Sequence, residues 1–147
     1  MWVNSPATAQ LFPKLQFASI SRSWDGHPAD DLGVTVAIDT AAKRIVKELL
    51  RYGNYEKYGE LLVDHRVTLR DAADAKLIWD AFCDIHHRHW KDHPLKKVSA
   101  SEWHLGISQY DQTRTHYMKV LVDPRTGQIT SWESKVDSSD ERKIPTK

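Results

Sequence analysis

The sequence predicts an α+β fold: a long helix packed on a curved antiparallel meander of three to five strands, with a second, shorter helix. Three observations carry this expectation. Apolar residues recur at a period near 3.6 between Thr68 and Pro94, and the period changes to 2 after Pro94. The segment Asp123-Pro124-Arg125-Thr126-Gly127 then separates the last two alternating runs as a hairpin turn. With 147 residues there is room for one domain with a real core.

The long helix comes first because the other elements are placed against it. Ala75, Ile78, Trp79, Phe82, Ile85 and His89 share one face. Thr68 with Asp71 three residues on resembles a capping box. Pro94 disfavours helix at His93, which predicts an end between Trp90 and Asp92. Lys76, Asp80, Asp84 and Arg88 form the solvent side.

Before the helix the pattern is harder to read. Residues 1–31 contain Pro6, Pro13 and Pro28, and they predict an irregular segment wrapped over the core, with a short strand possible at Leu15–Ile20. Asp25-Gly26 marks a turn. Val34, Val36 and Ile38 alternate as a strand. Asp39 or Thr40 then caps the shorter helix, whose apolar face is Ala41, Ala42, Ile45, Val46, Leu49 and Leu50, with Gly53 as its stop. The stretch Asn54–Gly59 reads as a loop or a single turn, and Leu61–Val67 as a strand or an irregular lead into the main helix.

After the helix, Val98–Ser108, Thr113–Asp123 and Gln128–Lys135 alternate as strands, and 136–147 is a polar tail. Pairing Asp123 with Gln128 fixes a register. It puts Trp103, Leu105, Ile107, His116, Met118, Val120, Val122 and Ile129 on the helix-facing side, where each large side chain contributes roughly 1.5–3 kcal/mol. Glu102, His104, Tyr117, Lys119, Leu121, Thr130 and Trp132 fall on the other face, with His104, Lys119 and Trp132 in one row. Two accounts of that face compete. The chain itself covers the aromatics, or His104, Tyr117, Lys119 and Trp132 form a partner-binding or dimer surface.

Chemical motifs are sparse. His86-His87-Arg88-His89-Trp90-Lys91-Asp92-His93 suggests a metal tract, and His89 and His93 have the spacing of two zinc ligands on one helical face. Pro94 breaks the helix where that spacing is needed, and neither an H-E-x-x-H glutamate nor a second cysteine is present. Cys83 with His87 could suggest an activated thiolate, but a lone cysteine in an apolar helix is more often a small buried hydrophobe. The chain has no P-loop, no G-x-G-x-x-G and no G-x-S-x-G. The expectation is therefore no catalytic residue, no metal and no cofactor.

Composition bounds the partners. Twenty-one basic against twenty acidic residues give no overall field for nucleic acid or anionic membrane. A nucleic-acid role would rest on the small patch Arg88, Lys91, Lys96 and Lys97. One cysteine excludes an intramolecular disulfide and fits a reducing compartment. The N-terminus lacks a basic n-region and a continuous apolar run, so neither a signal peptide nor a membrane span is expected, and the cytoplasm is the expected location.

The order of helix, the strand Glu102-Trp103-His104-Leu105-Gly106-Ile107, and then Tyr117–Ile129 resembles small bacterial cystatin-like and nuclear-transport-factor-like domains, immunity proteins among them. The resemblance covers roughly residues 68–135. It implies a roll with a long helix across a meander, and it raises the expectation of a protein-binding or inhibitory module, acting on another protein or as a homodimer. Two alternatives stay open: a small enzyme or ligand-binding protein using His104, His116 and Tyr117 in a pocket within the roll, and a weak nucleic-acid binder.

Overall fold

The computed structural model describes residues 2–3, 5–24, 27–50, 53–109 and 111–138, with 21–24 and 27–32 described by backbone alone. The elements in order are α1 (Pro6–Leu11), β1 (Leu15–Trp24), β2 (His27–Asp39), β3 (Arg44–Leu50), α2 (Glu56–Asp64), α3 (Ala72–His86), β4 (Leu95–Ser99), β5 (Glu102–Gln109), β6 (Arg114–Val122) and β7 (Ile129–Ser138). The strands form two antiparallel sheets, β1-β2-β3 and β4-β5-β6-β7. The fold is α+β, with two sheets where the sequence predicts one meander.

The N-terminal segment is structured rather than irregular. Ser5 caps α1 by accepting from the Thr8 N–H at 3.1 Å, and Pro6 occupies the first turn, where a missing N–H costs nothing. Phe12 and Phe17 are buried and meet edge to face at 5.7 Å. The expected turn at Asp25-Gly26 lies outside the described residues.

The shorter helix is also misplaced in the sequence reading. Asp39 does bond the following backbone, accepting from the Ala41 and Ala42 N–H groups at 2.9 Å each. Lys43 then takes φ 56°, which turns the chain back into β3 instead of onward into a helix. The helix appears one segment later. Tyr58, Leu61 and Leu62 in α2 are buried, so the residues expected as a loop and a strand carry a helical face.

The main helix starts at Asp71, which accepts from the Asp74 N–H at 2.9 Å, and not at Thr68. It also stops early. His87 adopts a left-handed φ of 55°, and the Arg88 N–H reaches back to the Cys83 carbonyl at 2.9 Å. This is an αL end at which glycine is usual. The following loop folds back on the helix, where Trp79 Nε1 donates to the Trp90 carbonyl at 2.7 Å.

In the second sheet the expected hairpin is present. The Asp123 N–H donates to Gln128 at 2.9 Å, the Gly127 N–H to Asp123 at 2.7 Å, and Gly127 has φ 76°. Two irregularities change the faces. The ladder between β5 and β6 breaks between Leu105 and Ser108, where Gly106 has φ 67°. A Cβ at Gly106 would overlap the Trp79 ring, so the helix packs directly on the backbone there. The ladder between β6 and β7 slips between Leu121 and Val122, so Ser131 pairs with Leu121 and Thr130 is bulged out. Every residue beyond that point on β7 faces the side opposite to the one expected.

α2 and α3 contact both sheets, and one hydrophobic cluster joins them. Thr35 Oγ1 in β2 donates to the Ile85 carbonyl at 2.7 Å, and Tyr58 Oη donates to the Ile78 carbonyl at 2.6 Å. Trp79 and Phe82 stack at 4.7 Å under β5, and Phe82 approaches Trp132 at 5.7 Å. The helices therefore use one face against each sheet, which is why eight residues of α3 are buried.

Candidate functional site

Three of the four residues expected to form a partner surface share the outer face of the second sheet. His104 pairs with Lys119 across β5 and β6. The His104 Nε2–H donates to Glu102 at 2.6 Å, and the ring stacks on Tyr117 at 4.0 Å and 22°. Tyr117 Oη donates to Asp137 Oδ2 at 3.0 Å, a diagonal contact made possible because β7 runs on to Ser138 instead of fraying at Val136. Glu102, His104, Tyr117 and Asp137 thus form one bonded chain beside Lys119.

Trp132 is not in that row. The slip in β7 pairs Lys119 with Glu133 and places Trp132 opposite Val120 on the core side. Its side chain is 5% exposed and lies 5.1 Å from the Tyr58 ring, and a Cβ on Gly59 of α2 would overlap it. The aromatic that anchored the expected surface is a core residue.

His104, His116 and Tyr117 do not converge. Alternation along β6 puts Tyr117 and Lys119 outside and His116 with Met118 inside. His116 Nε2 meets Ser134 Oγ at 2.8 Å, and burial together with nearby His93 lowers its pKa. An acid/base pair built from His104 and His116 would have the sheet between its members.

The histidine-rich end of α3 splits into different environments. His86 is wholly buried, its Nδ1–H donates to the Leu50 carbonyl at 2.7 Å, and burial pushes its pKa down to about 4. Its Nε2 has no hydrogen-bond partner among the described residues, within a wall of Tyr55, Tyr58 and Phe82. His87 and His89 are exposed, and His93 stacks on Trp90. Among the described residues no group of three or more His, Cys, Asp or Glu is placed to hold a metal. Cys83 is 1% exposed and burial pushes its thiol up to about 12, which disfavours the nucleophilic thiolate.

The four basic residues of the expected nucleic-acid patch are likewise dispersed. Lys91 is bound to Asp84 at 2.6 Å, and Arg88 lies 5.3 Å over Trp90. Lys96 pairs with His104 and faces outward, whereas Lys97 pairs with Trp103 and faces the other way. Lys97 instead lines a small cleft with Arg70 and Arg125, two cations that charge counting alone could not place together.

The first sheet offers a surface the sequence reading missed. Its outer face carries the rows Ile20–Val34–Leu50 and Gln16–Ile38–Ile45. Ile20, Ile45 and Leu50 are 49%, 54% and 42% exposed. The sequence signal was the excess of apolar residues in Ile45–Leu50, taken there as one side of a helix.

No helix among the described residues is long and apolar enough to cross a membrane. Comparison of the chain with protein-family models, with curated proteins and with solved structures finds no match.

Proposed function

We propose that this chain is a non-enzymatic protein-binding module acting through a sheet face, and that a second copy of itself is the partner this face fits most directly. The carrying observation is the set of exposed aliphatics Ile20, Ile45 and Leu50, which stand in two cross-strand rows on the outer face of the first sheet, on either side of the row Ala18–Val36–Glu48. Contiguous exposed apolar surface rimmed by polar groups is the usual mark of an interaction site. A flat aliphatic face is complementary to itself under a twofold axis, which is the commonest way two copies associate. A near-neutral chain, at formal charge +1, sets up no long-range repulsion against that pairing.

The outer face of the second sheet supports a second location for the same role. His104 stacked on Tyr117 beside Lys119 offers an aromatic platform with a cation, as interfaces favour. The His104 Nε2–H and the Tyr117 hydroxyl are already bonded within the chain, which makes it the weaker candidate. The sequence resemblance to cystatin-like and nuclear-transport-factor-like domains, immunity proteins among them, agrees with a binding role and adds no residue to it.

Sedimentation of the wild type, of Ile45→Lys with Leu50→Lys, and of His104→Ala tests the proposal. A concentration-dependent dimer that only the first pair dissolves is the expected result. Loss of the dimer in His104→Ala alone would move the interface to the second sheet. A monomer at every concentration would overturn self-association.

A further inference from the structure

At the end of the molecule where the β6–β7 hairpin turns, three cations from three different elements line one cleft of about 190 Å³: Arg70 from the segment before α3, Lys97 from β4 and Arg125 from the turn. One carboxylate, Asp123, accompanies them, and its Oδ1 already accepts from the Arg125 backbone N–H at 2.8 Å. Among the described residues none of the three cations makes an ion pair. Three like charges against one leave an excess of two, which an anion would offset.

The cleft is built, not merely decorated. The segment before α3 is tied to the hairpin by one isolated β-bridge, Thr68 opposite Gln128, with the Leu69 N–H donating to Gly127 at 2.7 Å and the Ile129 N–H donating to Val67 at 3.1 Å. Arg70 is pinned at two points. Its Nε donates to the Thr126 carbonyl at 3.2 Å, and its Cγ packs on Gly127, where an added Cβ would stand 2.6 Å away. A guanidinium anchored through Nε keeps its Nη groups for another acceptor, and its fork loses little entropy on binding. The N-terminus of α3 is capped by Asp71, so the helix dipole plays no part here.

We propose that this cleft binds a small molecule through a phosphate group. Two guanidiniums suit the bidentate geometry of phosphate, and the excess of two positive charges matches a phosphate dianion better than a single carboxylate. The cleft is smaller than the pockets that enclose drug-sized ligands, so it holds one charged group and leaves the rest of the ligand outside.

Inorganic phosphate titrated at constant ionic strength, with chloride and acetate as controls, tests this by tryptophan fluorescence and melting temperature. Trp103 lines the cleft and supplies a local signal. A saturable response to phosphate, weakened roughly tenfold in Lys97→Met and again in Arg125→Met, is expected. Neither side chain makes a hydrogen bond or ion pair among the described residues, so both variants retain the fold. A response to phosphate no greater than to acetate or chloride, or one unchanged in both variants, would overturn the site. Binding of a single-stranded oligonucleotide without a saturable phosphate response would also overturn it, and would assign the cations to a nucleic-acid groove.

Discussion

The two sheets pack on the same pair of helices yet finish their outer faces differently. On the first sheet Ile20, Ile45 and Leu50 stand exposed along two cross-strand rows. On the second, Glu102, His104, Tyr117 and Asp137 are linked by hydrogen bonds and a ring stack, and Lys135 and Glu133 pair at 3.1 Å. On the second sheet the His104 ring and the Tyr117 hydroxyl are bonded within the chain, whereas on the first sheet Ile20, Ile45 and Leu50 stay exposed around the buried Val34 and Val36. The second sheet's edge follows suit: β4 brings Lys96 and Lys97 to the rim, a usual guard against strand pairing. A sheet finished with polar pairs is complete alone. One finished with aliphatics is the face to which the proposed function assigns a partner.

The strongest way to test this division is to remove the residue that joins the second sheet to the helices. Trp132→Ala is expected to destabilise the fold by roughly 3–5 kcal/mol, as for other buried large aromatics. Urea unfolding measures it. A cost below about 1 kcal/mol would return Trp132 to the surface and with it the row His104–Lys119–Trp132.

A smaller effect separates the buried from the exposed histidines at the end of α3. His86 touches the Leu50 carbonyl, Tyr55, Tyr58 and Phe82, with Arg88 and His87 as nearby cationic groups that disfavour its charging. Its folded pKa of about 4 lies below the ordinary histidine value of 6.5, so the fold favours the neutral ring. Stability from this group is complete above pH 6.5 and is lost as pH falls toward 4, because the unfolded chain takes up the proton first. The expected loss is roughly 2 kcal/mol between pH 7 and pH 5. His86→Met should flatten most of that slope in unfolding curves at the two pH values; an unchanged slope would place the titration elsewhere.

Much of the second sheet was legible because its signals are local. The turn at Asp123–Gly127 needs proline and glycine at set positions, and Trp103, Leu105, Met118, Val120 and Val122 face the core as their alternation says. The error began at a single bulged residue. Thr130 drops out of the ladder, its Oγ1 bonding the Leu121 carbonyl at 3.3 Å, and no residue type there announces it. One slip of that kind moved Trp132 from the expected site into the core. In the first sheet the confusion was of period. Ile45, Val46, Leu49 and Leu50 fit a helical face and an exposed strand equally, and the left-handed Lys43 that decides between them is not a residue that favours such a φ. The cleft at Arg70, Lys97 and Arg125 was beyond sequence reach, since it depends on Leu69 and Gly127 meeting across the fold.

The smallest effects sharpen the contrast most. Tyr117→Phe removes a donor from Asp137 on the second sheet and should cost about 1 kcal/mol in unfolding free energy. Ile45→Thr removes only exposed surface from the first and should stay within about 0.5 kcal/mol at concentrations where the chain is monomeric. At higher concentration the order should reverse, because a dimer sealed through Ile45 adds stability by mass action that Thr forfeits. Unfolding of both variants at two protein concentrations reads this directly. If Ile45→Thr costs 2 kcal/mol or more in the monomer, the chain itself covers that face and no second copy is needed to do so.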